Sequence, residues 1–578
     1  MTIEERKRIL RSRIIAAGAL AAAAAGLAAW YIDRTTPSNK HMDPEHYFGI
    51  SQDEAALVLD GELGEAKGRV IEGSYYLPYE AVAASINPSV FYEDTEDLLI
   101  VTLPEERREY SVASDGSSGG EAVRAEEEVF VSAPFLESVT NASFRTFDEP
   151  GRIVVSMQDS YPVETLMEDA PIRFRAGIKS PILKDGEAGT RLRVLDVDET
   201  GEASPDKVKK WTKVVTEDGF SGYVEDRFLG EPGLETIETG HPVGEYTRSF
   251  LDAPVNLCFH QTTDQASNAA LTQSLEGVTG INVLAPTWLF LDGTAGEVAS
   301  IASSDYVETA HKEGIKVWAV LNDFDGSIAS SADTAAAMSS AAGRSAIVGS
   351  VIEELRACGA DGLCLDIELV SESAAADFLE LIREFSVECR KQGLTLSACN
   401  YVPTFTKYMN RAEQARVADY VIVMCYDEHT ASSKEAGSVS SLPFVKNGIT
   451  ATAGQVPAGQ VIAALPFFTR LWKISEDGSI EAESLGMSKA ASRVEELGMS
   501  PGWDEETGQN YAETSDGGDT YKIWLEDSDS LQLKMEEVAS ADCAGAAFWK
   551  LGLESPGTWE LIRSSLFRDA AEGSLYES

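Results

Sequence analysis

The sequence predicts an α/β protein: a (β/α)8 TIM barrel preceded by two small β-rich modules and an N-terminal membrane helix. Three observations point there. After Gly240, eight apolar runs rich in β-branched residues recur, each followed by a helical stretch or long loop: Val255 to Phe259, Ile281 to Leu284, Val317 to Leu321, Leu363 to Glu368, Leu394 to Ser397, Tyr420 to Met424, Val461 to Ala464 and Ala546 to Trp549. Eight such units over about 300 residues have the count and period of a barrel. Polar groups gather where these runs end: Asn322-Asp323, Asp366 and Glu368, Asn400-Tyr401, Tyr426-Asp427. In barrels the chemistry sits at strand C-terminal ends. The third observation is the run Asp361-Gly-Leu-Cys-Leu-Asp-Ile-Glu368. Strand side chains alternate, so Cys364, Asp366 and Glu368 share one face while Leu363, Leu365 and Ile367 share the other.

At 578 residues the chain exceeds one core, and about three or four domains are expected. The first, 1–40, carries Arg6, Lys7, Arg8, Arg11 and Arg13 ahead of an uncharged run from Ile14 to Ile32. As helix that run reaches about 28 Å, close to the hydrocarbon thickness of a bilayer. It ends in Trp30-Tyr31, which suit the interface, and the leading positive charges keep the N-terminus inside and the bulk outside. The expected location is the cell membrane, single-pass, with most of the chain extracytoplasmic. The alternative is secretion after cleavage near Ala28-Ala29.

Residues 41–165 read as a duplicated β-rich module. Tyr76-Leu-Pro, Val90 to Asp94 and Leu99 to Val101 are echoed about 54 residues later by Phe130-Val-Ser, Phe144 to Asp148 and Ile153 to Val155, with one short helix in each half. Leu57-Val-Leu-Asp-Gly61 leading into Tyr76-Leu-Pro resembles the copper amine oxidase N-terminal-like domain, which implies a non-catalytic accessory module; no His cluster for copper is present. Residues 166–235 carry Gly189-Thr-Arg-Leu-Arg-Val-Leu195, Trp211-Thr-Lys-Val-Val215 and Asp218-Gly-Phe-Ser-Gly-Tyr-Val224, and resemble a bacterial SH3-like domain. That resemblance implies a cell-wall peptide as partner or, equally, a spacer. Asp198 to Asp206 reads as its distal loop.

Composition excludes other classes. Lys and Arg total 47 against 95 Asp and Glu, a formal net charge of −48. Such a surface repels nucleic acid and anionic lipid, leaving the N-terminal helix as the membrane contact. All seven cysteines lie between Cys258 and Cys543 at irregular spacing, with no CxxC pair and no zinc-ligand pattern, so they read as buried thiols.

The barrel region, 250–570, holds the chemistry. Asp361-Gly-x-x-x-Asp366-x-Glu368, with Met424-x-Tyr426-Asp427, resembles glycoside hydrolase family 18, the chitinase-like family, and within it the bacterial branch of spore-cortex-lytic N-acetylglucosaminidases. Ala285-Pro-Thr-Trp288, Tyr426-Asp-Glu-His429, Leu465 to Trp472 and Phe548-Trp-Lys-Leu-Gly552 extend the likeness. The resemblance implies hydrolysis of β-linked N-acetylglucosamine glycan by substrate-assisted, retaining catalysis, in which the substrate's acetamide oxygen is the nucleophile. It assigns the general acid to Glu368 and acetamide orientation to Asp366. Tyr426 would bond the acetamide oxygen and Asp427 would hold the sugar. Two carboxyls on one face raise each other's proton affinity, as an acid near neutral pH requires. Trp549 is expected as an apolar floor, and Met424, Asn400, Tyr401, His429, Arg470 and Trp472 as further substrate contacts. Asp361 and Cys364 are supporting. No metal or organic cofactor is implied.

Two departures stand out. Chitinases carry Asp, and the spore-lytic branch often Asn, where this chain has Cys364; a thiol is a weak partner for Asp366, so a lower rate or altered pH optimum is expected. Strand three ends Leu321-Asn-Asp323 in place of the chitinase Ser-x-Gly-Gly. The substrate expected is peptidoglycan or spore cortex. A catalytically weak or silent glycan-binding scaffold, and a hydrolase of chitin or glycoprotein glycans, remain alternatives from sequence.

Overall fold

The computed structural model describes residues 2–114, 120–197, 204–205, 207–237 and 244–567. The expected distal loop 198–206 lies outside them except for Ser204 and Pro205. The chain divides into two compact units, Met1–Pro88 with Tyr110–Val243, and Ser89–Glu109 with Gly244–Ser578.

The first unit opens with a 33-residue helix, Ile3–Thr35, capped by the Thr2 side chain. It is long and apolar enough to cross a membrane, and none of its residues is buried. A seven-stranded sheet follows, and it displays the repeat. Ser74–Pro78 pairs antiparallel with its counterpart Glu128–Ser132, and each leads into a short helix, Tyr79–Ser85 and Ala133–Val139. The hairpin of the second half, Ser143–Phe147 with Arg152–Ser156, joins this sheet beside Glu54–Leu59. A second seven-stranded sheet runs from Ser160–Thr165 to Gly233–Thr236, so its first strand precedes residue 166.

In the second unit eight parallel strands close a barrel: β1 Val255–His260, β2 Val283–Leu291, β3 Lys316–Asn322, β4 Gly362–Asp366, β5 Thr395–Tyr401, β6 Tyr420–Met424, β7 Val461–Pro466 and β8 Gly545–Trp549. Closure is made by β8 on β1, with Val255 opposite Gly545. Both faces of these strands are covered, which is why each reads as a nearly unbroken apolar run. One face fills the lumen, with Leu257, Phe259, Val320, Cys364, Cys399, Ile422, Met424 and Ala547 in a single cluster. The other packs beneath the helices, and Leu363, Leu365 and Ile367 lie there. β4 therefore divides its side chains as alternation requires. Gly362 opens that strand because a Cβ would stand 2.6 Å from the Thr395 carbonyl oxygen.

Between β7 and β8 the chain inserts a five-stranded antiparallel sheet, from Phe468–Ile474 to Asp519–Leu525, with the helix Met487–Glu496. Next comes the helix Ser528–Ser540, whose N-cap is Asp527, while Glu526 is buried in an ion pair with Lys534. This places Glu526 at a helix start.

The hairpin of the first sequence repeat, Val90–Glu93 with Leu98–Thr102, is grouped with the barrel unit. Phe91 and Ile100 pack with Ala341, the Arg344 guanidinium lies 5.2 Å from the Phe91 ring centre, and Thr102 Oγ1 donates to Glu380 at 2.6 Å. Ile100 is fully buried in this contact. Ile100→Ala is expected to lower the stability of the barrel unit by about 2–4 kcal/mol, read as a fall in its chemical-denaturation midpoint.

Candidate active site

The catalytic candidates come together where β4 leaves the barrel. Asp366 ends the strand opposite Asn322 of β3, points into the lumen and is 3 % exposed. Among the described residues its Oδ1 has no hydrogen-bond partner, and the Cys399 thiol of β5 adjoins the carboxylate. Burial holds its proton affinity well above the ordinary carboxylate range, the Glu368 charge adds to this, and the thiol opposes it.

Glu368 lies two residues beyond and is half-buried. Its carboxyl accepts from the Tyr401 hydroxyl at the end of β5. Burial raises its pKa; the tyrosine bond lowers it; Asp323 and Asp427 raise it. The peptide that carries Glu368 is itself held. Its N–H donates to Asp323 Oδ1 at 2.9 Å, and the next N–H, of Leu369, donates to Asp323 Oδ2 at 2.9 Å.

Tyr426 is buried beside the acids, its ring edge-on to Phe468 at 6.2 Å. Burial and the charges of Asp366 and Glu368 hold its phenol proton firmly, so it stands ready as a neutral donor. Asp427 follows with φ of 60°, a left-handed turn uncommon for a residue with a side chain. Its carboxylate lies 2.8 Å from Arg470 Nη1, and that arginine also donates to the His429 carbonyl. Met424 and Trp549 line the lumen, the indole 5.5 Å from the Phe259 ring. His429 donates from Nδ1 to the Ser438 carbonyl at 2.9 Å, with its ring over Gly437. Together these residues place two carboxyls of raised proton affinity, a phenol and an indole at the end of the lumen where β4 leaves it.

Two expected positions are corrected. Trp472 is wholly buried with its indole N–H on the Gly437 carbonyl, so it offers no face to a sugar and instead props the loop beneath His429. Asn400 turns away from the lumen, since alternation puts it opposite Tyr401, and it donates to Gln414 at 2.7 Å. Asp361 stands at the far end of β4, where it accepts from the Val317 N–H at 2.8 Å and meets His311 at 2.7 Å. It braces the barrel floor. Cys364 shares the lumen face of β4, where its sulfur lies 3.6 Å from Cys399 Sγ, and it is the Cys399 thiol that adjoins Asp366. Sequence reading also gave Asp323 no role. Its position just past β3 was the available signal.

Tyr401→Phe removes the bond that lowers the Glu368 pKa. An acid must be protonated to act, so the alkaline limb of kcat/KM is expected to move to higher pH, with kcat lower, in a pH–rate profile.

The family model "Glycosyl hydrolases family 18" matches residues 287–554. The chain is 25 % identical over 333 residues to "Uncharacterized glycosylase YvbX" of Bacillus subtilis, covering 55 % of this chain and 93 % of that protein. It is 21 % identical over 225 residues to the "Cortical fragment-lytic enzyme" of Bacillus subtilis, 37 % of this chain and 52 % of that protein, so it spans about half of that relative. The crystal structure of the Bacillus cereus spore cortex-lytic enzyme SleL shares the fold, with a TM-score of 0.50 and 17 % identity over 57 % of this chain and 78 % of that one. With the closed eight-stranded barrel and the acids at its β4 exit, these matches identify the barrel as a glycosyl hydrolase family 18 domain and the chain as a glycoside hydrolase.

Proposed function

We propose that this enzyme is a membrane-tethered, extracytoplasmic N-acetylglucosaminidase that cuts peptidoglycan or spore cortex by substrate-assisted, retaining hydrolysis. The observation that carries the reading is the pair Asp366, at the end of β4, and Glu368, two residues beyond it, both with raised proton affinity and Glu368 bonded to the Tyr401 phenol. In this mechanism Glu368 gives its proton to the glycosidic oxygen as the substrate's acetamide oxygen attacks the anomeric carbon. Asp366 orients the acetamide and offsets the positive charge that develops on it, and Tyr426 donates to the acetamide oxygen. Water then opens the cyclic intermediate, with Glu368 now taking the proton, so the anomeric configuration is retained. Asp427 holds the sugar, Trp549 lies beneath the distorted ring, and Met424, His429 and Arg470 shape the walls.

The wall is favoured over other glycans by the basic residues ahead of the apolar helix Ile3–Thr35, which would hold the enzyme beside it, and by the names of the cortical fragment-lytic relatives. The SH3-like module would receive a wall peptide. A groove of about 820 Å3 in the first unit, lined in part by Tyr161, Lys184, Arg191 and Arg193, is where such a peptide would lie.

The test is incubation of the chain from residue 41 onward with purified sacculi, spore cortex and chitin oligomers, with products identified by mass spectrometry. New reducing N-acetylglucosamine ends from wall material are expected. Cleavage of chitin oligomers alone would remove the wall as substrate, and no product from any of the three would remove the enzymatic reading.

A further inference from the structure

Asp323 is fully buried just past the end of β3 and carries no part of the mechanism above. Each of its carboxylate oxygens accepts from a different backbone N–H, those of Glu368 and Leu369, both at 2.9 Å, and Oδ2 also accepts from Thr334 Oγ1 at 2.9 Å. Thr334 lies on the helix Ser331–Met338, so the acid is fixed from behind and grips the β4 exit in front. A buried carboxylate is costly unless hydrogen-bonded, and three donors meet that need here. A backbone segment just past a strand end has no ladder partner for its N–H groups, so a side chain that satisfies two consecutive ones fixes the direction in which the intervening side chain leaves.

We infer that Asp323 is the positioning residue of this active site, a side-chain clamp that takes two consecutive backbone N–H groups at the β4 exit and thereby sets where the Glu368 carboxyl stands relative to the scissile oxygen. The inference rests on the reading of Glu368 as general acid. Charge matters as well as shape. Asp323 faces Glu368 from β3, with Asp366 on its own strand, Tyr401 from β5 and Asp427 from β6, and the Asp323 charge strengthens the hold of Glu368 on its proton.

Asp323→Asn keeps the shape, removes the charge and accepts at one of the two N–H groups only. The expected result is a fall in kcat of about 10- to 100-fold with KM within about threefold, because misplacement acts on the transition state more than on binding. With the charge gone, Glu368 releases its proton more readily, so the alkaline limb of the pH–rate profile is expected to move to lower pH. A purely structural role would lower the melting temperature and leave that limb in place. Thr334→Val, which loosens the clamp but leaves the charge, is expected to lower kcat by less than about tenfold with the limb unmoved, and it serves where Asp323→Asn does not fold. Native-state hydrogen exchange at the Glu368 and Leu369 amides reads the clamp without substrate, and protection there is expected to fall at least about tenfold in Asp323→Asn and measurably in Thr334→Val. If wild type cleaves no glycan, the proposed function fails, and the exchange result alone decides the clamp. A folded Asp323→Asn with unchanged kcat and limb, or unchanged exchange at both amides in either variant, would overturn the inference.

Discussion

Replacing Glu368 with Gln is expected to reduce glycan hydrolysis by about 10²- to 10⁴-fold, the range a positioned general acid contributes. The amide is close to isosteric and still meets the Tyr401 hydroxyl through its carbonyl oxygen, so the opening keeps its shape. It has no proton to give the leaving oxygen. Binding of oligosaccharide, measured by calorimetry on wild type and variant, should change by less than about threefold, because the lost interaction is one made in the transition state. This split separates the enzyme from a glycan-binding scaffold. A scaffold would show no hydrolysis to lose, and a variant that loses binding and hydrolysis in parallel would place Glu368 among the sugar contacts and not at the leaving oxygen.

The second large effect falls on Asp366, in which activity and stability are expected to move in opposite directions. Asp366→Asn should lower kcat by about 10²- to 10³-fold, as loss of a pre-aligned charge-stabilising group does. The same change should stabilise the fold at neutral and alkaline pH. The folded protein binds the Asp366 proton more tightly than the unfolded chain, whose group titrates near 3.8. Its contribution is therefore most favourable below that value and is lost as pH rises through the raised folded one. Asparagine does not ionise, so the gain in melting temperature over wild type should grow with pH. Scans at pH 4, 6 and 8 measure this. A gain that is constant across the three would show that the buried acid is not the source.

All eight barrel strands were legible because parallel strands covered on both faces become unbroken apolar runs, and the two faces of β4 were legible because alternation sends Leu363 and Leu365 beneath the helices and Cys364 into the lumen. The same rule, applied to Asn400 and Tyr401, would have separated them, since neighbours on one strand cannot both face the lumen. Trp472 was misread for a different reason. Its strand, Phe468–Ile474, belongs to the inserted sheet, whose strands carry exposed charged residues such as Glu481, Glu483 and Glu513 and give no run comparable to those of the barrel. Asp323 and Cys399 act through contacts between strands: one through backbone N–H groups 45 and 46 residues away, the other through a carboxylate on the adjacent strand. Neither contact leaves a mark in sequence spacing. The departure of the first-repeat hairpin to the barrel was likewise invisible, because its strand pattern echoes that of its counterpart and its contacts with Ala341, Arg344 and Glu380 leave no mark in that pattern.

The account stands on the substrate's acetamide as nucleophile, with Glu368 as the acid and Asp366 as its electrostatic guide. The most direct measurement is a proton NMR time course on two matched β-linked oligosaccharides, one N-acetylated and one with free amines in place of the acetamides. The account predicts that only the acetylated oligomer is cleaved, with the β-anomer appearing first and mutarotation following. Cleavage of both at similar rates, or first appearance of the α-anomer, would contradict it.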